Sequence, residues 1–179
     1  MLNIKEEHKR FCHKVKENEC YTIEDVESAV HAKLYIKAKK DLYICKIDNG
    51  IITKSRKCDF LSKSNICTNF IELKGANINE AYDQITKTVE YLQNDDKYCI
   101  LIKNAKVYAI IVSPLRQIIP KGGDKRLREL SCRLASLNLN NKISDITKYI
   151  KYVKVTNTKK LSIKENRIEC SGKAPMEIE

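Results

Sequence analysis

The apolar residues of this chain follow two spacings, and the switches between them divide it into elements. Ile23, Val26, Val30 and Leu34 recur every three or four positions, as one face of a helix does. Thr22 ahead of them offers a capping hydroxyl, and Glu24 and Asp25 place acids in the first turn. The spacing therefore predicts a helix from Thr22 to about Lys39. Residues 1–18 are dense in charge and read as a helical extension. From Asp41 the period changes to two. DLYICKID alternates as a strand, Asp48-Asn49-Gly50 signals a hairpin turn, and IITKSRKCDFL reads as the return strand. Ser62 to Thr68 reads as the next turn and NFIELKG as a third strand. Helical spacing returns at Ala81, Ile85, Val89 and Leu92, behind Asn77 or Asn79 as cap. YCILI and VYAIIVS read as two paired strands. KRLRELSCRLASL reads as a basic amphipathic helix with Leu127, Leu130, Leu134 and Leu137 on one face. IKYVKVT and KLSIKE read as a closing hairpin, and residues 172–179 as a loose tail.

Helix, three-strand meander, helix, then further strands and a helix is the order of an α+β or mixed α/β fold, with one central sheet covered by helices. The 179 residues suit a single domain, and 42% hydrophobic content is enough for a core. No apolar run approaches the ~18 residues of a membrane span. The charged start MLNIKEEHKRF has no apolar core of a signal peptide. Eight cysteines without a CxxC pair give no support to a zinc ribbon, and they read as free thiols of a reducing cytoplasm. Cys45, Cys58 and Cys99 fall among apolar strand positions, where cysteine packs as a small hydrophobe.

Charge and two carboxylates change this picture from fold to chemistry. Lys and Arg number 34 against 23 Asp and Glu, a net charge of +11 that favours a polyanionic partner such as nucleic acid. A solvated lysine-rich surface is the bland account of the same excess. Asp59 lies in KCDFL, and Glu72 and Lys74 lie in NFIELKG. With a strand period of two, Glu72 and Lys74 share one face while Ile71 and Leu73 take the other. Asp is disfavoured in strands, so Asp59 between apolar neighbours calls for a reason. Two carboxylates and an ammonium on adjacent strands suit a divalent cation held by oxygen, with the lysine offsetting developing charge. An exposed ion pair is the plain alternative for Glu72 and Lys74.

Asp59, then Glu72-Leu73-Lys74-Gly75, then Ala81-Tyr82-Asp83-Gln84-Ile85 on a helix, resembles the PD-(D/E)xK nuclease superfamily, most like its small standalone bacterial or phage members. The match covers about Lys57 to Val89, and Cys58 stands where the motif's proline would be. The resemblance implies a restriction-endonuclease-like core and a nuclease using Mg²⁺ or Mn²⁺, with DNA as the expected substrate ahead of RNA. It implies Asp59 and Glu72 as metal ligands, the Leu73 carbonyl as a further one, and Lys74 as the catalytic lysine. A third carboxylate from the first helix would be Glu27, which lies on the apolar stripe, or Glu24 beside it, with His31 a further candidate. Gln84 reads equally as a group touching the site and as a helix-surface residue.

Arg116, Lys121, Lys125, Arg126, Arg128 and Arg133 form the densest basic segment, around Gly122-Gly123. It reads equally as a phosphate-binding surface and as a solvated helix face. Tyr98, Tyr108, Tyr149 and Tyr152 fit core or sheet-edge positions better than base-stacking platforms. The alternatives are a binding or interaction module of the same fold without catalysis, and a nuclease toxin with a dedicated inhibitor. A homodimer or an effector protein is compatible with all of them. The cytoplasm is the expected compartment.

Overall fold

The computed structural model describes residues 6–25, 32–53, 56–74, 77–103, 105–113, 124–138 and 146–179. Glu27, His31, Gly75, Arg116, Lys121 and Gly122-Gly123 lie outside the described residues. In chain order the elements are α1 (Glu6–Lys9), β1 (Cys12–Val15), β2 (Cys20–Glu24), β3 (Lys33–Ala38), β4 (Leu42–Lys46), β5 (Phe60–Lys63), β6 (Cys67–Leu73), α2 (Ile78–Asn94), β7 (Lys106–Ser113), α3 (Lys125–Leu137), β8 (Ile150–Val155), β9 (Ser162–Lys164), β10 (Arg167–Cys170) and β11 (Met176–Ile178).

The fold is mixed α/β around an eight-stranded sheet of order β1-β4-β5-β6-β7-β8-β10-β9. β4, β5 and β6 form an antiparallel meander, and β6, β7, β8 and β10 then run parallel. Two parallel neighbours cannot be joined by a hairpin, so α2 carries the crossover from β6 to β7 and α3 the one from β7 to β8. Asn77 caps α2 by accepting the Glu80 amide, and Asp124 caps α3 by accepting those of Arg126 and Leu127.

Strand alternation sorts the core into two layers. Phe70, Ala109 and Ile111 pack with Ala81, Ile85 and Val89 of α2 and with Leu130 and Leu134 of α3. Ile71, Leu73, Ile110 and Val112 face the other way and pack with Ile23, Leu34, Ile36, Met176 and Ile178 of a second sheet, ordered β11-β3-β2. The helices thus cover one face of the central sheet, and a small sheet covers the other.

Six expectations about the elements are overturned. The predicted helix from Thr22 is the antiparallel pair β2 and β3, because Leu34, Ile36 and Ala38 alternate into the core with period two. Among the described residues of the N-terminal extension only Glu6–Lys9 are helical, after which β1 pairs with β4. The expected tail contains β11, which adds to β3 because Met176 and Ile178 are buried. YCILI is not a strand: Cys99–Leu101 form a 3₁₀ turn with Ile100 exposed. The return strand also begins later than expected, at Phe60. The closing hairpin joins β9 to β10 instead of β8 to β9. Asn49 has φ 53°, and a side chain at Gly50 would overlap the Lys46 carbonyl, so this turn requires its glycine.

Cys12 and Cys45, directly opposed on β1 and β4, are joined as a disulfide, which corrects the expectation of free thiols throughout. The other six cysteines are free. Among the described residues no helix is long and apolar enough to cross a membrane.

Candidate active site

The meander brings Asp59, at the entry to β5, beside the end of β6. Ile71 pairs with Phe60, so Asp59 lies opposite Glu72. Two hydrogen bonds close this juxtaposition. The Asp59 amide donates to Glu72 Oε2 at 3.2 Å, and the Leu73 amide donates to Asp59 Oδ2 at 2.7 Å. Lys74 continues β6 by donating its amide to the Val112 carbonyl, and its Nζ lies 3.2 Å from Glu72 Oε1 and 3.6 Å from Glu80 Oε2. Glu72 and Lys74 share a face, as their spacing requires. That face is the helix-covered one, not a polar surface, and Glu72 is 0% exposed. The pair is therefore no exposed ion pair.

Burial sets the electrostatics. Desolvation, reinforced by the neighbouring Asp59 charge, pushes the Glu72 carboxyl well above the usual carboxylate range, against the pull of Lys74. Desolvation raises Asp59 to about 6; the Leu73 amide and Lys74 oppose the rise, and Asp25 and Asp48 add to it. Partial burial alone pulls Lys74 down, but Glu72, Glu80 and Asp59 outweigh it and the ammonium is held above its ordinary value. The result is two crowded carboxylates that resist double ionisation and one firmly charged lysine. The adjoining Cys58 is no nucleophile: burial first, then Glu72, pushes its thiol well up.

α2 fixes the approach to Asp59. The Cys58 amide donates to Thr88 Oγ1 at 2.7 Å, and Thr88 Oγ1 donates to the Gln84 carbonyl. Gln84 Nε2 donates to the Lys57 carbonyl at 3.2 Å. Gln84 thus holds the segment that leads through Asp59 into β5, and its Oε1 is buried without a hydrogen-bond partner among the described residues. Thr88 was not legible as a site neighbour, since a threonine on a helix face carries no chemistry by spacing alone. The Lys57 ammonium, 7% exposed, pairs with Asp48 at 3.2 Å, and the Asp48 amide donates to the Asp59 carbonyl. Asp48 read as a turn residue, and only the fold brings it to Asp59.

Other expected residues are placed elsewhere. Glu24 sits on β2 and pairs with Lys33 at 2.9 Å, not on a helix. Its neighbour Asp25, through its charge on Asp59, is the acid from this segment that the site feels. Asn138, after the last turn of α3, bonds the Val107 amide and carbonyl, so α3 starts at the edge where β7 ends. That puts Lys125 and Arg126 on the edge that carries the site. Arg126 is paired with Asp83 at 3.4 Å, and Arg133 with Glu90 and Glu129, which removes much of the charge expected of this helix. Lys125 and Arg128 are exposed. Tyr149 and Tyr152 are buried, and the Tyr152 hydroxyl is 2.7 Å from that of Tyr82, as core residues should be.

Among the described residues no group of three or more His, Cys, Asp or Glu side chains is arranged to hold a metal ion. Asp59 and Glu72 together still suit Mg²⁺ by donor chemistry, because that ion is commonly held by one or two carboxylates with water and substrate phosphate completing the shell. Comparison with protein-family models, curated proteins and solved structures found no match to this chain.

Proposed function

We propose that this chain is a metal-dependent nuclease that hydrolyses phosphodiester bonds, with DNA as substrate and Mg²⁺ or Mn²⁺ as cofactor. The observation that carries the reading is the convergence of Asp59, Glu72 and Lys74, with a fully buried carboxylate at its centre. A buried acid against a core face is costly unless paired, and a fold has little reason to keep two of them in contact without a use for their charge. The resemblance to PD-(D/E)xK nucleases implies active residues along one edge of a central sheet, and the place of Asp59, Glu72 and Lys74 at one edge of this sheet is compatible with that.

Asp59 and Glu72 would hold the cation, with the Leu73 carbonyl beside them. A divalent cation bound there supplies Lewis acidity toward a phosphoryl oxygen and a more acidic water. Lys74, kept charged by Glu72 and Glu80, would offset negative charge that builds on the phosphoryl oxygens. Gln84 and Thr88 would hold Lys57 and Cys58, ahead of β5, so that Asp59 keeps its place. Lys125 and Arg126 would meet the phosphate backbone at the same edge, Arg126 after exchanging Asp83 for phosphate.

The test is incubation with supercoiled plasmid, linear duplex, single-stranded DNA and structured RNA in Mg²⁺, Mn²⁺ or EDTA. Metal-dependent cleavage that is lost in Asp59→Ala, Glu72→Ala and Lys74→Ala is expected, and full activity in any of the three variants sinks the assignment. One observation favours a non-catalytic binding module instead. Both carboxylates are already engaged by internal partners, as in a purely structural network. Binding of the same substrates without cleavage would decide for it.

A further inference from the structure

Because β6, β7, β8 and β10 are parallel, their C-terminal ends share one edge of the sheet. The end of β6 carries Glu72 and Lys74. The ends of β8 and β10 carry a separate cavity of about 480 Å³, lined by Tyr35, Thr156, Asn157, Ser171, Gly172 and Lys173. β8 and β10 lie two and three strands from β6, which at about 4.8 Å per strand is on the order of 10–15 Å sideways, and Tyr35 comes from β3 of the small sheet, so a strand reaching both would pass over the sheet edge from the helix-covered face to the other. Ligands of open α/β sheets bind outside the carboxyl ends of strands, which is where this cavity lies.

Its walls are built and held. Ser171 Oγ accepts the amides of Lys173 and Ala174 and donates to the Thr158 carbonyl at 2.6 Å. The Thr156 amide donates to the Cys170 carbonyl at 2.9 Å, tying the two strand ends together. Gly172 lies against the Tyr35 ring: a Cβ there would be 3.4 Å from it. Three lining groups are left over by this network. Among the described residues, the Tyr35 hydroxyl, the Asn157 carboxamide and the Lys173 ammonium have no side-chain hydrogen bond or ion pair, and no carboxylate lines the cavity.

An aromatic ring, an amide and an ammonium in one concave, carboxylate-free site match the parts of a nucleotide. The ring suits the face of a base, the carboxamide a base edge, and the ammonium a phosphate. We propose that this cavity is a nucleotide subsite for the strand whose scissile phosphate lies at Asp59, Glu72 and Lys74. The proposal rests on the nuclease reading for its substrate, but the binding it describes does not require catalysis.

The test uses the full chain and a fluorescein-labelled single-stranded deoxyoligonucleotide, with anisotropy read in EDTA over a range of salt. Lys173→Ala is expected to weaken binding severalfold and to lower the slope of log affinity against log salt by about one, as loss of one phosphate contact does. Tyr35→Leu is expected to weaken it by about tenfold with the slope unchanged, as loss of one stacked base does. Lys164→Ala removes the same charge from the opposite end of β10, across the β9–β10 hairpin, and serves as control. Wild-type affinity and slope in both Lys173→Ala and Tyr35→Leu overturn the proposal, as does an equal loss of slope in Lys164→Ala. Parallel cleavage assays in Mg²⁺ separate the two readings. Absence of cleavage with the expected binding pattern removes the nuclease and leaves the subsite. Cleavage with unaltered binding in the variants removes the subsite and leaves the nuclease.

Discussion

The Asp59 amide donates to the Glu72 carboxylate across the β5–β6 pair, so the residue that crowds Glu72 with charge also supplies part of its solvation. That double relation holds two acids side by side in a buried corner of the fold. It also means that the protein without metal bears an electrostatic cost in this corner that protons or a cation can relieve.

Protons relieve it first. Folding raises Asp59 from its ordinary value to about 6, and Glu72 moves in the same direction. Between the unfolded and folded values the folded chain binds more protons, so stability rises as pH falls through that window and is lowest above it. In EDTA, the melting temperature is expected to rise by several degrees from pH 7.5 to about 5, Asp59 alone contributing on the order of 3 kcal/mol at most. Glu72→Gln should flatten that rise and melt higher than wild type at pH 7.5. A wild-type melting temperature that falls steadily over the same interval would contradict the sign.

A cation relieves the same cost at neutral pH. At a concentration near 100 times its dissociation constant, a ligand of the folded state adds about 2.7 kcal/mol. Mn²⁺ or Mg²⁺ should therefore raise the melting temperature at pH 7.5, with a smaller effect at pH 5.5, where the carboxyls hold protons. Glu72→Gln and Asp59→Asn should each lose most of the increment. Calorimetric melts with and without EDTA check this, and an equal increment in all three proteins would place the cation elsewhere.

How much of this was readable in the sequence depended on whether the deciding contact was local. Glu72 and Lys74 are two apart on a strand, so their shared face followed from the pleat, and α2 and α3 followed from long helical stripes, α2 with a capping asparagine ahead of it. Ile23, Val26, Val30 and Leu34 made an equally regular helical stripe, yet Leu34, Ile36 and Ala38 fit a strand as well, and pairing with β2 and β11 decided between them. The site showed the same divide. Residue type and spacing singled out Asp59 and Glu72, while Asp25, Asp48 and Thr88 come near Asp59 only through sheet register and helix docking. The pairing of β8 with β10 joins segments separated by a hairpin and leaves no periodic trace in either.

Thr88 makes the docking of α2 testable apart from catalysis. It is fully buried, and its hydroxyl satisfies the Cys58 amide next to Asp59. Thr88→Val keeps the shape but strands that amide, at a cost of about 1–3 kcal/mol. Thr88→Ser keeps the bond and should lose less, mainly for its missing methyl. Urea unfolding measures the cost, and nuclease assays on the still-folded Thr88→Val protein should show activity reduced beyond that of Thr88→Ser. Equal stability in the two variants would mean that the Cys58 amide finds another acceptor.

The last strand offers the sharpest contrast between a tail and a structural element. Ile178 is 3% exposed among Leu34, Ile36 and Ala38, and the Lys39 amide donates to its carbonyl at 2.8 Å. A loose tail would tolerate any change there. A buried strand will not: Ile178→Ala removes methyl groups from the packed layer between the two sheets and should cost about 2–5 kcal/mol. Glu177→Ala, on the exposed face, loses only its surface pair with Lys39 and should stay within about 1 kcal/mol of wild type. Equilibrium unfolding of the two variants decides the matter. Similar, small losses would return the segment to the tail that its sequence resembles, whereas a large loss confined to Ile178→Ala fixes β11 as part of the wall behind Leu73.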